Sequence, residues 1–226
     1  MDLAVLFTGG KDSTYSMFLA SKENSIKCLL NVVSDSVDSY MFHTVGSNLV
    51  ELQAKALEIP LIRTYTKAVK EEELEDLKFL MMKAKQDYGV DGVCTGAIES
   101  RYQSDRVRRI AEQLDLKVIN PLWHIDVAKY MRDLVHDGFK AMIISVSADG
   151  LSKELLGRII DGPLLEELDR LSRKYRFNLA FEGGEAETAV VDAPIFKSRI
   201  SVDEYTVKSD GSKSFMLIKE AHLVAK

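Results

Sequence analysis

Cysteine is scarce in this sequence, which has two such residues among 226 and no CxxC pair. Disulfide-stabilised scaffolds are far denser in cysteine, so a disulfide framework is excluded. Cys28 and Cys94 lie far apart inside apolar runs. We therefore expect both thiols to be buried in the core, where free cysteine packs as a small hydrophobic residue, and not to act as ligands or nucleophiles.

Long hydrophobic runs and an excess of positive charge are also missing. No apolar run approaches the ~20 residues of a membrane-spanning helix, and the first five residues lack the charged segment and cleavage site of a signal peptide. The formal net charge is −5, whereas dedicated nucleic-acid binders usually carry a basic surface. These absences predict a cytoplasmic soluble protein with no membrane partner, argue against a nucleic-acid partner, and favour action on a small molecule or a protein.

The first half of the chain alternates short apolar runs with amphipathic segments. Strands are predicted at residues 3–7, 27–33, 60–65, 90–95 and 117–120. Helices are predicted at residues 13–21, 45–57, 71–88 and 104–114. This alternation is typical of an α/β fold in which helices cover both faces of a parallel sheet.

The pattern changes in the second half of the chain. Helices are predicted at residues 127–135, 151–160 and 163–175. Strands are predicted at residues 141–146, 178–181, 188–191, 198–207 and 215–218, with a turn at residues 208–211. We therefore expect a nucleotide-binding domain at residues 1–123 and a smaller α+β substrate-binding lobe at residues 124–226. A cleft between them would suit a large substrate.

A glycine-rich loop joins the first predicted strand to the first predicted helix. This phosphate loop consists of Thr8, Gly9, Gly10, Lys11, Asp12 and Ser13. The two glycines allow a sharp turn and a close approach of the backbone to a ligand. The helix start points N–H groups and its dipole at an anion in the loop, where Lys11 and the Ser13 hydroxyl add binding groups. Asp12 beside a phosphate implies a cation, and Mg²⁺ favours a carboxylate together with phosphate oxygens.

The spacing of the phosphate loop excludes two common nucleotide-binding motifs. A Walker A loop needs G-x-x-x-x-G-K-[ST], and a dinucleotide fingerprint needs G-x-G-x-x-G. A plain turn with Asp12 or Ser13 as helix N-cap would explain one residue but not the whole set. The loop resembles the S-G-G-x-D-S pyrophosphate loop of the N-type ATP pyrophosphatases, with Thr8 in place of the usual serine.

That resemblance implies a Rossmann-like sheet of the HUP type with strand order roughly 3-2-1-4-5. It also implies that ATP is cleaved to AMP and pyrophosphate while a carbonyl or carboxylate oxygen is adenylated. In this family the adenine edge pairs at the end of the second strand, where Asn31 lies. His43 lies in a loop beside the phosphate strand, and binding and structural roles stay equally open for it.

Two further segments supply candidate binding residues. After the fourth strand, Gly96 would let a nucleotide lie against the backbone, and Ala97 and Ile98 would form an apolar wall for the sugar or base, although glycine after a strand is common. Tyr102, Gln103 and Arg106 could reach the cleft, where a guanidinium grips two phosphate oxygens. We expect Arg108 and Arg109 to lie on a solvated helix face.

The acidic segment, residues 182–188, is the most unusual stretch of the chain. Its candidate substrate-binding residues are Glu182, Gly183, Gly184, Glu185, Glu187 and Thr188. A surface turn would tolerate this composition. Apolar strands are predicted on both sides, however, and acids there are costly without a cation such as Mg²⁺, ammonium or a cationic substrate.

The acidic segment, taken with the first half, resembles the diphthine–ammonia ligases of archaea and eukaryotes. The likeness covers essentially the whole chain and includes residues 39–43 (SYMFH), 96–98 (GAI), 102–103 (YQ), 106–107 (RV), 122–123 (LW) and 141–144 (AMII). It implies amidation of diphthine on translation elongation factor 2, with free ammonia as nitrogen source because no glutaminase module is visible. The catalytic candidates are Lys11, Asp12, Ser13 and Glu185, with Asp12 as metal ligand.

Two other functions stay open at this point. A tRNA-modifying ATP pyrophosphatase shares the phosphate loop, but sulfur carriers need reactive cysteines and tRNA favours a basic surface. A non-catalytic adenine-nucleotide module shares the fold, but would have little use for Lys11, Asp12 and Ser13 together with the acidic segment. The sequence also leaves the oligomeric state open, with a homodimer as one candidate.

Overall fold

The computed structural model describes residues 1–34, 40–66, 70–211 and 213–226, and gives no account of the side chains of residues 34, 40–48, 70–73 and 103. In the first half the strands are β1 (Asp2–Leu6), β2 (Ser25–Ser34), β3 (Leu61–Thr66), β4 (Gly92–Cys94) and β5 (Lys117–Ile119). The helices between them are α1 (Lys11–Ser21), α2 (Tyr40–Leu57), α3 (Lys70–Tyr88) and α4 (Arg101–Gln113).

The second half contains two helices and four strands. The helices are α5 (Val127–His136) and α6 (Gly162–Tyr175). The strands are β6 (Lys140–Val146), β7 (Ala186–Asp192), β8 (Ser198–Asp210) and β9 (Lys213–Ala225). No helix in the described ranges is long and apolar enough to cross a membrane.

The first five strands form one parallel sheet in the order β3-β2-β1-β4-β5. The predicted α/β class and strand order are therefore confirmed. Alternate residues of β1 serve two cores: Leu3 and Val5 pack with α1, α2, α5 and the second sheet, while Ala4 packs with α3 and α4. This two-sided burial explains why Leu3–Leu6 of β1 form a continuous apolar run.

The remaining strands form an antiparallel sheet in the order β7-β6-β9-β8. β8 and β9 make a long hairpin that extends beyond the predicted strands. The added residues next to the turn are mostly exposed and polar, and in the added second half of β9 Ala221 and Leu223 are only partly buried against the core. The hairpin turns at Gly211, which has a φ of +57°. Helix α2 packs against β9, so the two sheets share the larger of the two cores.

The helix predicted at residues 151–160 is wrong. This stretch contains only a 3₁₀ turn, Lys153–Leu155, and Gly157 then adopts a φ of +80°, which a right-handed helix excludes. The chain continues beside β6, where the Ile160 N–H donates to the Ala141 carbonyl at 2.8 Å. Its apolar residues reach the core from this irregular backbone.

The strand predicted at residues 178–181 is also wrong. The Asn178 side chain accepts a hydrogen bond from the Ala180 N–H at 2.8 Å, which is a turn, and Phe181 has a φ of +63°, outside the β region. Ala180 and Phe181 are nevertheless buried, which accounts for the apolar pattern. The next strand begins at Ala186, so Glu187 and Thr188 lie within β7.

Candidate functional site

The phosphate loop lies between the end of β1 and the first turn of α1. Gly10 is the N-cap residue in extended conformation, with no side-chain cap, and Gly9 has a φ of +76°. A Cβ at Gly9 would lie 2.0 Å from Oε1 of Gln53, so only glycine fits this position. The alternative of a turn capped by Asp12 or Ser13 is wrong, because both residues lie inside the helix.

Two hydroxyl groups close the phosphate loop on itself. The Thr8 N–H donates to Ser13 Oγ at 3.2 Å, and the two side-chain oxygens lie 3.1 Å apart. Ser13 is buried, whereas Thr8 is exposed. Thr8, which stands where the family usually has serine, is therefore the more accessible of the two residues, and its Oγ1 also accepts a hydrogen bond from the Gly10 N–H at 3.4 Å.

Lys11 and Asp12 form the polar centre of the site. Lys11 is 1% exposed, and its ammonium donates to Oδ1 of Asp12 at 2.6 Å and to the carbonyl of Ala180 at 2.5 Å. The ammonium also lies over the rings of Tyr130 and Phe181, with the nitrogen 5.8 and 5.6 Å from their centroids. Two of its three donors are thus used by the protein, and the positive charge lies at the start of α1 beside the phosphate loop.

Tyr130 of α5 is a site residue that the sequence analysis missed. Its hydroxyl donates to Oδ1 of Asp12 at 2.8 Å, and the residue is fully buried. Burial raises the pKa of Tyr130 well above its ordinary value, and the charge of Asp12 adds to the shift, so the phenol keeps its proton. An aromatic residue at helical spacing between apolar neighbours looks like core in a sequence, which is why no signal marked it.

Strand β7 also holds the phosphate loop in place. The Val190 N–H donates to the Gly9 carbonyl at 2.9 Å, and the Gln53 amide donates to the carbonyls of both Gly9 and Val190 at 2.8 Å. The Lys11 N–H donates to Thr188 Oγ1 at 3.1 Å. The end of the acidic segment is thus anchored directly on the phosphate loop. Gln53, like Tyr130, was not predicted, because a lone glutamine in a helix carries no chemical signature.

The loop after β4 lies against the start of α1. A Cβ at Gly96 would lie 2.8 Å from the backbone carbon of Asp12 and the backbone nitrogen of Ser13. The glycine is therefore required by helix packing, and not only by a nucleotide as expected. Ala97 is 6% exposed and Ile98 is fully buried in the core, so the Ile98 side chain does not form an exposed apolar wall.

Glu182 lies at the edge of this centre. Its Oε2 accepts a hydrogen bond from the Glu99 N–H at 3.1 Å. Burial raises the pKa of Glu182, the hydrogen bond from Glu99 opposes the shift, and the negative charge of Asp12 adds to it. The carboxylate is near enough to Asp12 and Lys11 to sense both charges, so the phosphate loop and the acidic segment meet here.

Glu185 is used by its own loop. Its two carboxylate oxygens accept hydrogen bonds from the Asn178 N–H at 2.9 Å and the Gly183 N–H at 2.8 Å. The Ser147 hydroxyl donates to the carbonyl of Gly184, which has a φ of +79°. This geometry favours a structural role for Glu185 and not the predicted catalytic one, because both oxygens are occupied by backbone donors.

Glu187 points to a different neighbour. Its Oε1 lies 3.5 Å from the Lys213 ammonium on β9. Burial raises the pKa of Glu187, and the positive charge of Lys213 opposes the shift. The three carboxylates therefore do not gather into one cluster, and the described part of the chain has no group of three or more His, Cys, Asp or Glu side chains poised for a metal.

The other predicted binding residues are scattered. The Asn31 amide donates to the Phe7 carbonyl at 2.9 Å and its oxygen accepts from Arg63 at 3.2 Å, so this side chain ties three strands together. Arg106 stacks on Tyr102, with its guanidinium carbon 3.3 Å from the ring centroid, and Tyr102 is 56% exposed. The backbone of His43 lies in α2 and not in the predicted loop, while the side chains of His43 and Gln103 lie outside the described residues.

The cysteine prediction is confirmed. Cys28 and Cys94 are both free and fully buried. Burial raises the pKa of Cys28 to about 12 and that of Cys94 to about 11. Neither thiol is a reactive nucleophile in this environment, because the thiolate is the reactive form.

Comparisons with known proteins identify relatives along the whole chain. Residues 1–118 match the diphthamide synthase N-terminal domain, and residues 126–224 match the diphthamide synthase C-terminal domain. The diphthine–ammonia ligase of Homo sapiens is 36% identical over 95% of this chain and 88% of its own length. The one from Danio rerio is 36% identical over 93% of this chain and 90% of its own length. The Saccharomyces cerevisiae relative is 33% identical over 87% of this chain but only 34% of its own length.

One solved structure is only distantly similar. It is a predicted subunit of tRNA methyltransferase from Methanocaldococcus jannaschii, with 17% identity and a TM-score of 0.45 over 86% of this chain and 98% of that one. A likeness this loose adds nothing on function. The two family matches and the identity to full-length relatives decide the matter: the chain belongs to the diphthine–ammonia ligases, a family of ligase enzymes.

Proposed function

We propose that this protein amidates diphthine on translation elongation factor 2 in the cytoplasm, using ATP and ammonia and releasing AMP and pyrophosphate. The observation that carries the proposal is the meeting of two segments. Lys11 of the phosphate loop is bonded to Ala180, which lies just before the acidic segment, and to Thr188, the last residue of that segment. An ATP site and a site for a cationic acceptor would then be adjacent, as an adenylation followed by ammonia attack requires.

In the first step, a diphthine carboxylate oxygen attacks the α-phosphorus of ATP and pyrophosphate leaves. The backbone N–H groups at the start of α1, the positive charge of Lys11 and the Thr8 side chain stabilise the charge that builds up on the leaving group. Holding both reactants in one site contributes roughly 7–11 kcal/mol through positioning.

Asp12 fits the role of a Mg²⁺ ligand. Its Oδ1 is bonded to Lys11 and Tyr130, and its side chain is 30% exposed, so the second carboxylate oxygen remains available. Magnesium favours such a carboxylate together with phosphate oxygens. When bound, the ion supplies charge neutralisation for the pyrophosphate.

In the second step, ammonia attacks the acyl carbon and AMP leaves, which gives the amide. We assign two roles to Glu182. It binds ammonium or the trimethylammonio group of diphthine, and it accepts the proton that ammonium loses. A carboxylate with a raised pKa is the better proton acceptor near neutral pH. This assignment replaces Glu185, whose oxygens are occupied by backbone N–H groups.

The two parts of the chain have different proposed roles. We propose that residues 1–123 bind the nucleotide and that residues 124–226 bind the acceptor, with free ammonia as the nitrogen source. The parallel sheet ends at β5 before the proposed boundary, and the antiparallel sheet begins at β6 after it. The buried, unreactive cysteines argue against the rival tRNA thiolation chemistry.

The deciding assay incubates the purified protein with ATP, Mg²⁺ and ammonium, with and without elongation factor 2 that carries diphthine. We expect AMP and pyrophosphate in equal amounts only when the factor is present, together with conversion of the diphthine carboxylate to an amide. The same mixture with factor that already carries diphthamide is the control. Formation of ADP, or turnover that ignores the factor, would overturn the proposal; amidation from glutamine without ammonium would contradict the nitrogen source.

A further inference from the structure

The hydroxyl of Tyr130 is the one polar group that α5 contributes to the Lys11–Asp12 centre. The ring packs among other aromatic residues, with its centroid 5.4 Å from that of Tyr15. A phenylalanine would fill the same volume. A buried hydroxyl is costly unless it is hydrogen-bonded, and this one donates to Asp12 at 2.8 Å. Packing therefore explains the ring, whereas only Asp12 explains the oxygen.

Two donors from different halves of the chain converge on one oxygen of Asp12. The Lys11 ammonium and the Tyr130 hydroxyl both bond Oδ1, at 2.6 and 2.8 Å. Such a pair fixes the rotation of the carboxylate about its bond to Cβ, because turning it would break both hydrogen bonds. Within the described residues no hydrogen bond reaches Oδ2, which is thereby presented as the free ligand atom.

We propose that Tyr130 is a positioning residue that orients Asp12 toward the divalent cation bound with ATP. The proposal rests on the proposed function in so far as that function uses a metal–nucleotide complex. Tyr130 touches neither nucleotide nor metal itself, and it acts through Asp12 alone. The nucleotide site then needs a side chain from α5, 118 positions away from Asp12 in sequence.

Tyr130→Phe tests this role, and Tyr15→Phe is a matched control. Tyr15 belongs to the same aromatic group and its hydroxyl donates at 2.8 Å to Asp137, not to the Lys11–Asp12 centre. The probe is Mn²⁺ with ATP, measured by electron paramagnetic resonance of the bound ion, and ATP affinity is measured separately with a chelator present. Hydrogen bonds to charged groups lead us to expect that Tyr130→Phe weakens Mn²⁺ binding in the presence of ATP about tenfold or more. We expect Tyr15→Phe to change it less than about twofold.

The remaining outcomes are distinguishable. Equal Mn²⁺ affinity in Tyr130→Phe and the unaltered protein would overturn the role of Tyr130, and so would an equal loss of metal-free ATP affinity. A double change with Asp12→Asn is the second test: Tyr130→Phe should add nothing once the carboxylate is gone. If the unaltered protein binds no Mn²⁺ with ATP, the proposed function fails instead, whatever the variants do.

Discussion

The phosphate loop and the acidic segment are both glycine-containing, charged stretches, but they are built by different means. The six residues of the phosphate loop stay together in one turn between β1 and α1, and Gln53 and β7 hold that turn through hydrogen bonds to Gly9. The acidic segment is dispersed by its surroundings, since Glu182 faces Glu99, Glu185 faces its own loop and Glu187 faces Lys213. A run of like residues in sequence therefore need not be a cluster in space.

Removing the Lys11 ammonium should have the largest effect. Lys11→Met takes away a positive charge from the phosphate loop and the donor that joins it to Ala180. We expect AMP formation to fall by about 10²–10³, the usual effect of deleting one group that stabilises developing negative charge. Lys22→Ala, at the far end of α1 where the ammonium packs over Phe18, is the control and should keep full activity. Equal activity in the two variants would mean that the phosphate loop does not serve catalysis.

Glycine substitutions compare how tightly the two segments are packed. Gly9 and Gly184 have nearly the same φ, +76° and +79°, but a Cβ at Gly9 meets Gln53 at 2.0 Å and one at Gly184 meets nothing within 4 Å. We expect Gly184→Ala to lower the free energy of unfolding by about 1 kcal/mol and Gly9→Ala by about 2–3 kcal/mol. Urea unfolding measures both. Similar losses of unfolding free energy would show that the phosphate loop accommodates a Cβ as easily as the acidic segment does.

The pH profile distinguishes Glu182 from an ordinary surface acid. Its pKa is raised by burial, and the ionised form is the one proposed to bind ammonium and accept its proton. Activity should therefore rise with pH as this carboxyl loses its proton, at a higher pH than for an ordinary glutamate. Glu182→Gln should lower kcat about 10-fold to 100-fold and abolish that limb of the profile. An unchanged limb would assign it to another group.

The smallest effects on kcat should come from the other two acids, Glu185 and Glu187. Glu185→Gln keeps one acceptor but turns an amide N–H toward a backbone donor, so we expect a loss of about 1–2 kcal/mol in unfolding free energy with kcat within about threefold. Glu187→Gln breaks a 3.5 Å ion pair and should change unfolding free energy by no more than about 1 kcal/mol. A large fall in kcat for Glu185→Gln at unchanged stability would restore a catalytic role.

Sequence reasoning succeeded where local patterns control structure. The central strand β1 is a buried apolar run, and Gly9 takes the positive φ that a glycine pair between a strand and a helix predicts. It failed at residues 151–160 and 178–181, because buried leucines and phenylalanines look alike in helices, strands and irregular backbone. Only the pairing with β6 and the positive φ of Gly157 and Phe181 decide those segments.

The candidate site was predictable only in part. The phosphate loop carries its chemistry in six consecutive residues, so it could be found. Tyr130 contributes one hydrogen bond and Gln53 two, all made across long distances in sequence, and such contacts leave no local pattern. The sequence analysis singled out Gly96 for nucleotide binding alone, whereas its missing side chain also makes room for α1.

The bonds of Lys11 and Asp12 have a consequence for dissecting the protein. Thr188, Ala180 and Tyr130, which hold the backbone and side chains of these two residues, all come from beyond residue 123. A fragment that ends at residue 123 would keep all six residues of the phosphate loop but lose the partners that orient Lys11 and Asp12. The phosphate loop therefore cannot be transferred alone as a working nucleotide site. Grafting or truncation experiments must keep α5 and β7 together with it.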